Sequence, residues 1–372
     1  MILFLKESGG VCLIEAQNLA RLREPSGDPM PKGRLLRSQI VPILAVDQGG
    51  LIMTFEHTSV RVVRKPWGGH DLTPWDLSGN HEAVVGELRF DRSEAQAPDP
   101  ALLLKLLFTK QMLSIQVHPD DAFAQSTGMA NGKTEAWYVL SAESGAKVAV
   151  GLTRTVTQAE LRTAIADGSI SDLVQWRDAA AGDVFFVPAG TIHAIGAGLV
   201  IAEIQQRSDA TFRLFDPGRA RELHVDQAVA VADLGPAETE AAPIRLTHAR
   251  TQLVSCAFFT LERIDLSPNA NWELLANRET WALVIAGDAN VGPMHAGVGD
   301  AFFADADRVA IKVGTNGLTA LLAYAGSAPE PGLLRDLDAW DRDRPAPQDI
   351  VEALIHHEKP ANLPYRSTEG QS

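Results

Sequence analysis

Between residues 110 and 205, short apolar runs at 113–117, 136–140, 184–187 and 199–204 alternate with clusters of Gly, Pro and Asp. Runs this short and this evenly punctuated predict an all-β sandwich or barrel. One helix interrupts them: Thr157 caps a segment in which Glu160, Leu161, Ala164 and Ile165 recur at helical spacing, and Gly168 ends it. A second strand-rich block covers 253–326, with runs at 258–264, 280–285, 301–304 and 319–324. The two blocks share text. Gly182-Asp183-Val184-Phe185-Phe186-Val187 recurs as Gly299-Asp300-Ala301-Phe302-Phe303-Ala304, and Glu135-Ala136-Trp137 recurs as Glu279-Thr280-Trp281. The expectation is an all-β dominated chain with a few helices and an internally duplicated barrel.

The flanks differ from these blocks. Residues 1–52 lack a sustained period and are broken by Glu24-Pro25-Ser26-Gly27-Asp28 and Pro29-Met30-Pro31-Lys32-Gly33. They are expected to be a poorly ordered extension or to precede a true start at Met53. The units expected after it are 53–235, a first barrel with the inserted helix; 236–330, a second barrel; and 331–372, a Pro- and charge-rich tail with a short helix at 350–356.

Charge and cysteine content narrow the partners. A formal charge of −14 with no offsetting basic stripe argues against nucleic acid and anionic membranes. A small anionic substrate remains compatible, because a local cluster of Lys and Arg outweighs a distant, screened net charge. The two cysteines, Cys12 and Cys256, form no disulfide framework and suggest a reducing, cytoplasmic setting. No apolar run approaches spanning length.

Three stretches carry candidate chemistry. In Ser114-Ile115-Gln116-Val117-His118-Pro119 the i, i+2 spacing on a strand turns Gln116 and His118 to one side. Gly132-Lys133-Thr134-Glu135 puts Glu135 at the head of an apolar strand, and Gly182 to His193 ends a strand at Pro188, turns at Gly190 and presents His193. Singly, each has a bland explanation: a turn histidine, or a strand-edge charge. Together Gln116, His118, Glu135 and His193 offer imidazole nitrogens and carboxylate or amide oxygens to one divalent ion such as Zn²⁺, one per chain. With a single anionic ligand the site stays electron-poor, which suits Lewis-acid catalysis.

The third stretch resembles the second cupin motif, with Ala197 where Asn is usual. The Gln116-x-His118, Lys133-x-Glu135 and His193 set resembles type I mannose-6-phosphate isomerases, as do Lys65-Pro66-Trp67-Gly68-Gly69 and 203–213. The resemblance implies duplicated cupin (jelly-roll) barrels and interconversion of mannose 6-phosphate and fructose 6-phosphate through a cis-enediol. It implies the same four metal ligands, with Arg213 stabilising the enediolate. Lys133 and Glu203 compete as the base, and Lys133 or Asp209 assists ring opening. Trp67 and Asp209 fall near the sugar, and Ser114 and Lys105 near the phosphate. A structural ion pair of Arg213 with Asp209 or Asp216 is the bland alternative. Arg207, Phe212 and Phe215 depart from the family pattern and bear on fine substrate contacts. In the second block Asp305 and Ala310 replace Pro188 and His193, so that barrel lacks the ligands, and Glu279 is expected to have no catalytic role. The partner implied is a small sugar phosphate, with the chain a monomer or homodimer. The alternatives are an isomerase of a related or unphosphorylated sugar such as mannose, and a non-catalytic sugar-binding cupin.

Overall fold

The computed structural model describes residues 2–7, 10–15, 54–76, 82–94, 97–237 and 242–342. Within 1–52 the described part is one antiparallel hairpin, Ile2–Glu7 paired with Gly10–Glu15. The rest of that stretch, Met53 and the helix expected at 350–356 lie outside the described residues.

From residue 54 onward, strand parity organises the fold. A six-stranded sheet runs in the order Val184–Val187, Glu135–Ala142, Leu199–Gln206, Leu102–Thr109, Glu87–Asp91, Ser59–Val63. A five-stranded sheet runs Val174–Asp178, Lys147–Leu152, His193–Ile195, Ile115–Val117, Phe212–Phe215. All the pairings are antiparallel. Leu107, Trp137, Val139 and Ile201 of the first sheet share one core with Val148, Val150 and Ile195 of the second. The sheets therefore face each other as a jelly-roll barrel.

The six-stranded sheet is covered on its other face too. Leu102, Leu104, Leu106, Phe108, Ala136, Tyr138, Ala202 and Ile204 pack with Leu261, Trp281, Leu321 and Ala323 of the second barrel. Covering on both faces explains why Leu102–Thr109 is buried at every position and reads as an apolar run interrupted at Lys105. Even-numbered residues face the second barrel, so odd-numbered Lys105, Glu135, Trp137 and Glu203 face the interior of the first. The outer face of the five-stranded sheet packs on the helix Gln158–Asp167 through Leu161, Ala164 and Ile165. That helix has the Thr157–Glu160 capping box and ends at Gly168.

The second barrel wraps around the 19-residue strand Asp307–Ala325. Phe259–Leu266 pairs with its C-terminal part, Asn271–Ala276 with its N-terminal part, and Thr280–Val291 with both. Thr54–His57 adds to this sheet against Ala301–Asp305, so the chain crosses to the first barrel only after His57. Leu334–Asp336 pairs with Asn271–Ala276.

Local hydrogen bonding repeats between the barrels as the shared text does. Trp137 Nε1 donates to Glu135 at 3.1 Å, and Trp281 Nε1 donates to Glu279 at 3.3 Å. Asp183 accepts from the Ala180 N–H and Asp300 from the Gly297 N–H, each at 2.8 Å. No helix among the described residues is long and apolar enough to cross a membrane.

Candidate metal centre and adjoining cavity

His193 and Gln116 are direct cross-strand partners, and Gln116 is in turn the partner of Arg213. Opposed residues of antiparallel strands share a face, so all three point into the barrel. Glu135 reaches the same point from the facing sheet. One ligand atom each from His118, Glu135 and His193 lies within 4.8 Å of the others, and all three residues are buried. His118 Nε2 is 3.5 Å and His193 Nε2 3.4 Å from the Glu135 carboxylate.

Backbone carbonyls set the histidine tautomers. His118 Nδ1 donates to the Ala210 carbonyl at 2.7 Å and His193 Nδ1 to the Thr191 carbonyl at 2.8 Å. Each ring therefore turns an Nε2 lone pair toward Glu135. Burial, chiefly, keeps both rings neutral: His118 is held well below the ordinary histidine value and His193 down at about 4. Burial also lifts Glu135 to about 7 against the opposing pull of Lys133. The donor set fits a borderline divalent cation: two neutral imidazoles, one carboxylate, and beside them the Gln116 amide 3.3 Å from His193 Nε2. The group already touching this set is a cation, since the Lys133 ammonium hydrogen-bonds Glu135 and lies 3.2 Å from His118 Nε2.

Two glycines shape this floor. A Cβ on Gly132 would stand 2.6 Å from the Pro119 carbonyl oxygen, so only glycine lets the Lys133–Glu135 segment run against the His118-Pro119 turn. Gly190, at φ +91, makes the turn that delivers His193, and its N–H donates to the His118 carbonyl at 2.8 Å.

Above the floor opens a cavity of about 410 Å³. Trp67, Lys105, Ser114, Lys133, Glu203 and Arg213 line it, together with Gln116 and Asp209. The expected site residues thus lie around one candidate metal centre and one cavity, with differing environments. Glu203 is buried between Lys105 at 3.4 Å and Lys133 at 3.9 Å. Burial works against its ionisation, but the two lysines prevail and keep its pKa low. Burial pushes Lys133 toward neutrality, and Glu135 and Glu203 outweigh it, raising its pKa. Lys105 also donates to Gln205 at 2.8 Å and is committed to the floor. Ser114 donates to Gln116 Oε1 at 3.3 Å. Asp209 is exposed at the rim, 3.7 Å from Arg89.

Arg213 is in neither ion pair of the bland alternative: its guanidinium donates to the Glu222 carbonyl, and Asp216 instead binds Arg219 and Arg221. Sequence reasoning missed Arg221 and His224, which also line the cavity. The available signal was three basic side chains, Arg219, Arg221 and His224, on the turn directly after the Arg213 strand. In the second barrel, Glu279 accepts the Ala101 and Leu102 N–H groups at 2.7 and 2.9 Å, a contact between barrels.

Among curated proteins, the chain is 41% identical over 183 residues to the mannose-6-phosphate isomerase of Streptococcus mutans, covering 47% of this chain and 58% of that relative. It is 35% identical over 207 residues to mannose-6-phosphate isomerase ManA of Bacillus subtilis, covering 53% and 63%. The chain thus spans less than two thirds of the length of these relatives. No family model matches. Among solved structures, the mannose 6-phosphate isomerase from Bacillus subtilis superposes with a TM-score of 0.63 at 25% identity, over 72% of this chain and 98% of that one. A phosphomannose isomerase from Salmonella typhimurium shares the fold, with a TM-score of 0.60 at 14% identity over 73% and 99%. The chain is similar in sequence and in fold to proteins named mannose-6-phosphate isomerase.

Proposed function

We propose that the chain is a metal-dependent aldose–ketose isomerase that interconverts mannose 6-phosphate and fructose 6-phosphate. The observation that carries this reading is the convergence of the His118, Glu135 and His193 donors within 4.8 Å at the floor of a cavity lined by Lys133, Glu203 and Arg213. Zn²⁺, one per chain, is the ion this donor set suits, with Gln116 as a fourth ligand once its amide turns the oxygen from Ser114 toward the histidines. A divalent ion held there supplies Lewis-acid polarisation of the sugar oxygens at C1 and C2.

The chain's own groups manage the protons. Glu203, held ionised by its two lysines, takes the proton from C2 of the aldose and returns it to C1. Lys133, held protonated by Glu135 and Glu203, gives a proton to O1 and takes one back from O2–H. Arg213, free of carboxylate pairing, orients the two oxygens and stabilises the enediolate charge between these steps. Trp67 walls the sugar, and Asp209 at the rim assists ring opening. In this reading the enzyme works in the cytoplasm, as a monomer or homodimer, on a small sugar phosphate.

A coupled assay of the purified chain on mannose 6-phosphate and on mannose tests the reading. Turnover of mannose 6-phosphate is expected. Turnover of mannose alone would move the substrate to the unphosphorylated sugar, and turnover of neither would leave a sugar-binding cupin. Two variants separate binding from chemistry. His193→Ala is expected to lose bound zinc by metal analysis, whereas Arg213→Ala keeps it and loses about 10²-fold or more in kcat.

A further inference from the structure

The loop after the Arg213 strand is built around one carboxylate with almost no exposed side chain. Asp216 accepts from Arg219 Nε at 2.7 Å and from Arg221 Nε and Nη2 at 2.5 and 3.0 Å, and Arg219 also donates to the Met112 carbonyl at 2.7 Å. Held in this way, the loop closes on Arg213 from three directions. The Arg213 N–H donates to His224 Nδ1 at 3.1 Å, the His224 N–H donates to the Arg213 carbonyl at 2.8 Å, and the Arg213 guanidinium donates to the Glu222 carbonyl at 3.1 Å.

The first of these bonds decides the state of His224. A ring whose Nδ1 accepts a backbone N–H carries its proton on Nε2 and is neutral. Burial, then the charge of Arg213, holds its pKa below the ordinary histidine value, so this donor form is the one present at neutral pH. Among the described residues Nε2 has no hydrogen-bond partner, and the half-buried ring lines the cavity. Arg221 uses Nε and Nη2 on Asp216, its Nη1 has no hydrogen-bond partner among the described residues, and its guanidinium is 5.3 Å from the Trp67 ring. Arg213, Arg219 and Arg221 face Asp216 and Glu222, which leaves one positive charge uncompensated (three cations against two carboxylates). The loop side of the cavity thus carries net positive charge.

Position completes the case. His193, Gln116 and Arg213 step across the five-stranded sheet at ~4.8 Å per strand. Phe212–Phe215 is the edge strand, and His224 bonds to its main chain. The Arg213 strand, to which His224 is bonded, therefore lies about 10 Å from His193 across the sheet. Of the two residues expected near the phosphate, Lys105 is occupied by Glu203 and Gln205, and Ser114 donates to Gln116.

We propose that Arg221 and His224 are the specificity-determining pair of this cavity, Arg221 Nη1 and His224 Nε2–H donating to the phosphate of a sugar whose carbonyl end faces His118, Glu135 and His193. This builds on the isomerase reading but can be tested without turnover. Calorimetric titration of the full chain with sorbitol 6-phosphate, which has no carbonyl, and with sorbitol reads phosphate recognition directly. The wild type is expected to bind the phosphorylated compound more tightly. His224→Asn keeps an acceptor for the Arg213 N–H but loses the outer donor, and is expected to weaken sorbitol 6-phosphate about tenfold. His224→Gln keeps the outer donor and loses the inner acceptor, and is expected to retain most of that affinity while lowering kcat through Arg213. Arg221→Gln, with Arg219 still on Asp216, should weaken the phosphorylated compound independently of His224. Wild-type affinity in His224→Asn or Arg221→Gln overturns the proposal. So does an equal loss in His224→Gln and His224→Asn, which would reduce His224 to positioning Arg213. Loss of binding in the variants of a chain that turns over neither sugar would leave the phosphate site standing and remove the isomerase reading.

Discussion

At the scale of single residues, the centre depends on what holds each donor as much as on the donors. Gly132→Ala changes no ligand, yet its methyl meets backbone rather than a flexible side chain. It is expected to lower stability by about 1–3 kcal/mol and to weaken zinc binding, both measurable by thermal melts and a metal titration of the variant. Asp216 gives a pH signature. Burial opposes its ionisation, but Arg221 and Arg219 hold its pKa below the ordinary aspartate value of 3.8. A depressed carboxyl adds stability above the unfolded value and loses it as pH falls through the folded one. Asp216→Asn should therefore melt below the wild type at pH 7, with the gap closing in melts taken below about pH 3.8. An unchanged gap would show that the arginine pairing contributes nothing. The alternation on Gln116-x-His118 and the turn at Pro188-x-Gly190 were legible because strand parity and glycine φ are local. His224 was not, because its tautomer depends on the N–H of Arg213, eleven residues away in sequence.

At the scale of elements, parity does the sorting. Alternate residues of Leu102–Thr109, Glu135–Ala142 and Leu199–Gln206 serve two cores, one inside the metal barrel and one between the barrels. The runs at 136–140 and 199–204 were readable because each is apolar and bounded by turn residues, whereas Leu102–Thr109 was not among the expected runs. The strand Asp307–Ala325 was only partly anticipated, at 319–324: its first half alternates exposed and buried residues, and the run at 319–324 is continuous. The helix Asp121–Ser126 was missed. Asp120, which reads as a turn beside Asp121, is its N-cap and accepts the Phe123 N–H at 2.8 Å. Glu279 shows how a duplicated motif changes use: where Glu135 faces the metal centre, Glu279 ties the second barrel to the N–H groups of Ala101 and Leu102. Glu279→Ala leaves those donors unpaired and should cost about 1–3 kcal/mol. Melting should register this loss while metal content stays at the wild-type level; a loss of zinc would place Glu279 in the site.

At the scale of the whole molecule, one barrel holds the candidate site and the other covers the outer face of its six-stranded sheet. One face of the six-stranded sheet is buried by the second barrel, and the other holds Lys105, Glu135 and Glu203 beside an apolar core inside the first. The chain's −14 charge does not extend to the loop side of the cavity, where arginines outnumber carboxylates. The central claim is that one metal ion, held by His118, Glu135 and His193, makes this cavity an isomerase. The most direct test strips the full chain with chelator and follows mannose 6-phosphate turnover as Zn²⁺ is added back. The account predicts no turnover in the stripped protein and recovery that rises linearly and breaks at one ion per chain. Turnover that survives complete stripping, or zinc restored at one ion per chain with no turnover, would contradict it.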